Sequence, residues 1–262
     1  NSLKRIGNFQ QSFVYHIEII NNQVWFALTD HQSMNQVKVI DENGNLGATY
    51  EVGISPGDFA VWESNTSNFS WVFVANEGNF GASNGSISMI DNLGNVTSIE
   101  EIGDVVQSIT VYDNKLIAIV NNSHKIKLYD ISEDGLSLPG IEISTEYSSP
   151  REMVVVNDKL YFTNWETSDV KVLNLFNYKI ESSIQTGAMP EGIIVDGSNL
   201  WIANSGSTTL SKIDINSHSV ETIEVGDGPQ SLLKHNGSIF ISRRYYDSLW
   251  NEFYGTSKII LD

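Results

Sequence analysis

Three of the four arginines in this chain, Arg151, Arg243 and Arg244, stand in segments that could meet a ligand. A guanidinium offers a planar fork of donors that fits a carboxylate or phosphate, and it stacks well on aromatic faces. Arg243 and Arg244 open the segment RRYYDSLWNEFYG (243–255), which places Tyr245, Tyr246, Trp250, Phe253 and Tyr254 within ten residues. Exposing so many rings is costly. The segment is therefore expected either to stack on a flat ligand or sugar ring, or to pack back on the protein as a plug. Trp165 could complete an aromatic wall. For the cations, the competing expectation is ion pairing with Glu152, Glu191 or Asp247.

A second chemistry needs an imidazole beside carboxylates, a donor set that can hold a divalent cation. His16, Asp58 and Glu152 are the candidates, although a lone strand histidine is more often packed than metal-bound, and no metal is assigned from the sequence. No cofactor is assigned either. Catalytic signatures are missing: there is no Gly-x-Ser-x-Gly, no His-Glu-x-x-His and no phosphate loop. The glycine-rich GNFGASNGS (78–86) joins two strand-like segments instead of opening a helix, so it reads as a connection. The chain has no cysteine, which removes disulfides, thiolate metal sites and thiol nucleophiles together. Enzymatic activity is thus not the favoured expectation.

Composition narrows the partners. A formal net charge of −17 repels phosphate backbones and anionic lipid, so nucleic acid is excluded on electrostatic grounds. No apolar run approaches the roughly 20 residues of a membrane span. With 40% hydrophobic residues the chain can bury a large core. A small molecule or a surface protein remains as the expected partner, and a monomer as the expected state.

The elements that must carry these residues repeat. One apolar strand recurs as VWFALT (24–29), VFVAN (72–76), LIAIVN (116–121), LYFTN (160–164), LWIAN (200–204) and IFISR (239–243). A second follows each time: VKVID, ISMID, IKLYD, VKVLN, LSKID and KIILD, five of the six closing on aspartate. A polar stretch ending in glycine comes next, as in YEVG (50–53), EEIG (100–103), IQTG (184–187) and IEVG (223–226), with Pro56, Pro190 and Pro229 three residues on. Trp25, Phe73, Ile117, Tyr161, Trp201 and Phe240 mark a period of 39 to 48 residues. Four short strands at that period are the pattern of a propeller blade. The expectation is an all-β, six-bladed β-propeller of four-stranded antiparallel blades in one domain, 1–262. The blades fall near 13–53, 58–103, 106–147, 151–187, 191–226 and 230–262. The last copy lacks a fourth strand, and Ser2–Gly7 (SLKRIG) matches the missing ending, so residues 1–7 are expected to complete that blade and close the ring.

YFTN, WIAN and FVAN, with their spacing to LSKID and VGDGP (225–229), resemble the YVTN-type repeat of YncE-like propellers. The resemblance covers nearly the whole chain and is strongest in the last three blades. It implies a bacterial periplasmic or surface protein whose signal is absent from this chain. Some surface relatives capture cofactors. It implies no catalytic motif, since this family is defined by its fold repeats. Six-bladed calcium-dependent lactonases are the leading enzyme alternative, but their Pro-Asn-Gly turn is matched only loosely by Pro190-Glu191-Gly192. A structural protein-docking module is the second alternative.

Ligands of propellers usually meet the loops that lead into each first strand and those between second and third strands. The former carry Asp58, Gln107, Arg151, Glu152, Glu191 and Gln230. In blade one, counting from Gly7 places Gln11 there, whereas counting back from Trp25 places Tyr15 and His16. The latter loops carry Asp30, His31, Glu77, His124, Trp165, Glu166 and 243–255. The ligand-binding set expected from residue type is Arg151, Glu152, Trp165, Glu191, Gln107, Gln230, Arg243, Arg244, Tyr245 and Tyr246. Asn76, Asn121, Asn164 and Asn204 recur at one repeat position, which points to turn bonds instead of ligand contacts.

Overall fold

Runs rich in Val, Ile and aromatic residues, punctuated by Asn, Asp and Gly, favour short strands joined by tight turns. A computed structural model describes residues 13–261, and within them only β-structure forms. The chain divides between Ser144 and Thr145 into two compact units. In the first, β1 (Phe13–Ile20), β2 (Gln23–Thr29), β3 (Asn35–Ile40) and β4 (Leu46–Glu51) make one sheet. β5 (Pro56–Glu63), β6 (Ser70–Asn76), β7 (Gly85–Asp91) and β8 (Val96–Gly103) make the next. The third holds β9 (Val106–Tyr112), β10 (Lys115–Val120) and β11 (Lys125–Ser132), with β12 (Gly135–Leu136) and β13 (Ile141–Ser144) both paired to β11.

The second unit repeats the plan. Its sheets are β14 (Pro150–Val156), β15 (Lys159–Asn164), β16 (Asp169–Asn174) and β17 (Lys179–Gln185), then β18 (Pro190–Asp196), β19 (Asn199–Asn204), β20 (Thr209–Asp214) and β21 (Val220–Glu224). The last sheet contains β22 (Pro229–His235), β23 (Ser238–Tyr246) and β24 (Glu252–Ile260) among the described residues. Six consecutive antiparallel sheets of this kind are the blades of a six-bladed β-propeller, as expected from the repeats. The expected closing strand, residues 1–7, lies outside the described residues.

The second strands β6, β10, β15 and β19 are buried on both faces, which is why they read as unbroken apolar runs instead of alternating ones; β23 is the exception, with Phe240 exposed. Their side chains fill the seams between blades. One seam cluster gathers Trp71, Phe73, Ile87, Ile109, Leu116 and Tyr129. Another gathers Tyr161, Val170, Val172, Ile193 and Ile202. Each such side chain contributes about 1.5–3 kcal/mol on burial.

The repeated asparagines and glycines are one device. Asn76 Nδ2 donates to Ser86 Oγ (3.2 Å) and Ser88 Oγ (3.0 Å), and Asn204 Nδ2 donates to Thr209 Oγ1 and Ser211 Oγ (both 3.0 Å). Asn164 Oδ1 accepts from Ser148 Oγ at 2.6 Å. All three amides are fully buried. The glycine ending the preceding blade makes room for the amide: a Cβ on Gly53 or Gly187 would lie 2.7 or 2.6 Å from the Asn76 or Asn204 side chain. The aspartates are turn residues too. Asp41 Oδ1 accepts the amides of Asn43 and Asn45, and Asp91 Oδ1 those of Leu93 and Asn95.

Candidate functional site

Each first strand carries a β-bulge just inside its start, and the bulges position most of the candidate residues. The register slips at Tyr15 in β1, at Gly57 in β5 and at Gln107 in β9. It slips again across Arg151–Glu152 in β14, Glu191–Gly192 in β18 and Gln230–Ser231 in β22. A bulge re-aims the extra side chain out of the pleat, so these positions present side chains at the end of the blade where the first strand begins. Counting back from Trp25 therefore gives the matching position in blade one, with Tyr15 in the bulge and His16 after it. Gln11 lies outside the described residues.

In the second unit, Pro150, Pro190 and Pro229 open the three first strands and face Asn164, Asn204 and Arg243 across the register. Arg151, Glu191 and Gln230 thus occupy equivalent places in consecutive blades. Arg151 reaches across the seam: its Nε and Nη2 donate to Glu191 Oε1 at 3.0 and 2.7 Å. Its Cζ lies 4.2 Å from the centroid of the Trp165 ring. Both partners of the pair are largely buried, so Arg151 is committed to neutralising Glu191. Of the three acids weighed as partners, Glu191 pairs with Arg151. Trp165 Nε1 is buried with no hydrogen-bond partner. The Glu152 amide donates to Thr163 Oγ1 at 3.1 Å.

Arg243 takes the place of the repeat asparagine. Its guanidinium packs against Gly226 and Gly255, where side chains would collide with it. Nη1 donates to the Val225 carbonyl at 3.4 Å, and Nε is buried without a hydrogen-bond partner. The cation sits 5.6 Å from the Tyr245 ring, which itself stacks on Phe253 at 5.6 Å and 17°. Among the described residues Arg151 and Arg244 form ion pairs and Arg243 forms none. Arg244 pairs with Glu252, which also accepts from the Tyr246 hydroxyl at 3.1 Å. Hydrogen bonds from the Tyr254 hydroxyl and Arg244 hold the Glu252 carboxyl below the usual carboxylate range.

The 243–255 segment differs from the long loop expected. Arg243–Tyr246 extend β23 and pair with Glu252–Gly255 of β24, leaving Asp247–Asn251 as a tight turn. The turn has the frame of 41–45 (DENGN) and 91–95 (DNLGN). Asp247 Oδ1 accepts the amides of Leu249 and Asn251, so it caps the turn and does not pair with an arginine. Trp250 stands where Gly44 and Gly94 stand and adopts their left-handed backbone, with φ 63°. A plug is not what forms: Trp250 is 82% exposed, Leu249 78% and Tyr254 72%.

In the first unit the structure brings His16 and Asp58 together and adds Glu18, which the sequence reading missed. His16 Nε2 lies 3.8 Å from Asp58 Oδ1 and 3.9 Å from Glu18 Oε2. Glu18 was visible as the residue two positions on from His16, hence on the same face of a strand. Asp58 accepts from the Phe59 amide (2.9 Å) and the Ile109 amide (2.8 Å). Burial pushes its carboxyl up to about 6. Glu152 belongs to the second unit. Nearby, the Tyr15 hydroxyl donates to Glu77 at 2.9 Å and its ring meets His31 edge-on at 5.3 Å. The 78–86 connection is tied down: Asp104 accepts the Gly81 amide at 3.0 Å and Asn84 Oδ1 the Asn79 amide at 2.8 Å.

No family model and no curated protein matches the chain. Solved structures do. A functionally unknown protein from Desulfotomaculum acetoxidans is similar with a TM-score of 0.67 at 14% identity, over 95% of this chain and 90% of that one. A candidate 6-phosphogluconolactonase from Bacteroides fragilis scores 0.64 at 13% identity, over 92% and 83%. Dihydro-haem d1 dehydrogenase NirN, solved in complex with DHE, scores 0.62 at 15% identity over 85% of this chain. The chain spans about half the length of NirN (49%). At such identities the likeness is one of fold, and by fold this chain is a β-propeller.

Proposed function

We propose that this chain is an extracytoplasmic, non-catalytic propeller of the YVTN-repeat, YncE-like kind. It binds a small planar, anionic ligand on the face where β14, β18 and β22 begin. The observation that carries this reading is Arg243. It replaces a structural asparagine with a cation that has no acidic partner among the described residues, beside the Tyr245–Phe253 stack. A ligand carboxylate supplies the missing counter-charge while its ring system lies against the aromatic faces. Arg151, Trp165 and Glu191 form a wall of the same face, their charges balanced, and Gln230, at the equivalent bulge of the following blade, offers a neutral polar contact. Arg244, paired with Glu252, holds the ribbon and does not serve as an anion clamp.

A surface protein partner is the second reading, favoured by the exposed Leu249 and Trp250 at the tip of the β23–β24 ribbon. Calorimetric titration with 2-naphthoate and with the neutral 2-naphthamide tests the ligand reading. The carboxylate is expected to bind at least tenfold more tightly, and Arg243→Asn to erase that difference. Equal affinities for the two probes, or a preference that survives Arg243→Asn, would remove the basis for it.

A further inference from the structure

We propose that His16, Glu18 and Asp58 form a binding site for a divalent transition-metal cation, with Zn2+ the best match. The inference stands on the first unit alone and does not depend on the arginine site.

The fold assembles the donors. His16 of β1 and Asp58 of β5 both follow a bulge, facing Ala27 and Ala75 in equivalent registers of adjacent blades. Their side chains therefore meet across the seam, and Glu18 joins from the same face of β1. One ligand atom from each residue falls within 4.8 Å of the other two. The His16 Nε2 separations of 3.8 and 3.9 Å are too long for hydrogen bonds. They lie close to the ~3.4 Å between neighbouring donors of a tetrahedral cation with bonds of about 2.1 Å. Seating the metal needs His16 Nε2 to approach by about half an ångström and Glu18 to close on Asp58 from at most 4.8 Å; His16 and Glu18, 32% and 43% exposed, can make that movement while Asp58 stays fixed.

Two of the three donors are already held. Asp58 is fixed by the Phe59 and Ile109 amides, and each of its carboxylate oxygens keeps a lone pair for a metal. The His16 ring packs edge-on against Phe59 at 5.4 Å. Such outer contacts set ligand orientation in metal sites. The donor set also sets the metal class. One imidazole nitrogen and two carboxylate oxygens suit Zn2+ and its transition-metal neighbours, whereas Ca2+ takes six to eight oxygens. Three protein ligands leave a coordination position open to water or to an anionic ligand.

Calorimetric titration of ZnCl2 into the full chain at pH 7.5 tests the site. One equivalent is expected to bind with micromolar affinity and to raise the melting temperature, while CaCl2 does neither. His16→Ala and Glu18→Gln should each weaken Zn2+ binding at least tenfold. Both side chains are substantially exposed, so these variants are expected to fold. Asp58→Asn is a poorer probe because Asp58 anchors the Ile109 amide. Arg243→Asn should leave Zn2+ binding unchanged. The proposal is overturned if no binding is seen below millimolar Zn2+. It is equally overturned if binding is undiminished in His16→Ala, which would place the metal on His31, His124, His218 or His235.

Discussion

Replacing Gly187 with alanine should cost far more stability than its place at a strand end suggests, and removing the Asn204 side chain should refund part of that loss. Gly187 does not have a left-handed backbone, so alanine there carries no conformational strain and in open space would stabilise by about 0.4–1 kcal/mol. Its Cβ would instead stand 2.6 Å from both Cγ and Nδ2 of Asn204, which is fully buried. The amide cannot retreat without giving up its bonds to Thr209 and Ser211, and Ser211 Oγ also accepts the Gly187 amide at 3.3 Å. Overpacking of about 1–3 kcal/mol plus one or two buried hydrogen bonds at about 0.5–1.5 kcal/mol each gives a loss of about 1.5–6 kcal/mol. Asn204→Ala alone loses those bonds and leaves a void, about 1–3 kcal/mol. In the double variant the new methyl enters the vacated space, so the two losses should fall short of their sum by about 1–2 kcal/mol. Urea unfolding of the four proteins, with slopes compared to check that the transition is unchanged, measures the coupling. Additivity to within about 0.5 kcal/mol would refute the pairing of asparagine with glycine as the unit of the seam.

Glu191→Gln should leave Arg151 largely buried without its counter-charge and destabilise by about 1–3 kcal/mol, with Arg151→Met restoring much of that in thermal melts. Trp250→Gly, which returns the 247–251 turn to the frame of its two siblings, should raise stability by up to about 1 kcal/mol despite deleting a tryptophan. A drop in melting temperature would show that the Tyr246–Trp250 ring contact outweighs the backbone cost. Turn-amide and asparagine hydrogen bonds hold Asp41, Asp214 and Asp247 below the usual aspartate range, and Asp30 at about 2. In each the folded value lies below the unfolded one, so the unfolded chain takes up protons first as pH falls. Stability from these caps should be complete above pH ~4 and decline toward pH ~2. Asp30→Asn should flatten that decline in acid titrations followed by circular dichroism.

The blades were legible because strand burial writes itself into residue order. Unbroken apolar runs mark second strands, aspartate and asparagine mark turns, and glycine marks the place where the next blade's amide must fit. Pairing across long separations was legible only as a choice: Glu191 stood among three acids that could pair with an arginine, and nothing in the residue order selected it. Arg151 and Glu191 are 40 residues apart, and only the shared bulge position on neighbouring first strands brings them within 2.7 Å. The bulges themselves follow from cross-strand register, which no local pattern encodes. Segment 247–251 concealed its kinship with 41–45 and 91–95 because tryptophan occupies the glycine position, a substitution that steric reasoning argues against. Glu18 was overlooked because its role depends on His16 and Asp58 meeting across a seam.

Arg243, proposed as the cation that meets an anionic ligand, can be followed directly. The chain has four arginines, so a side-chain Nε–Hε spectrum of 15N-arginine-labelled protein contains few signals, and Arg243→Asn assigns the one in question. On titration with 2-naphthoate the Arg243 signal should shift progressively to saturation, while that of Arg151, held by Glu191, stays within a line width. An Arg243 signal that does not move at saturating ligand, or a shift confined to Arg151 or Arg244, would contradict the account.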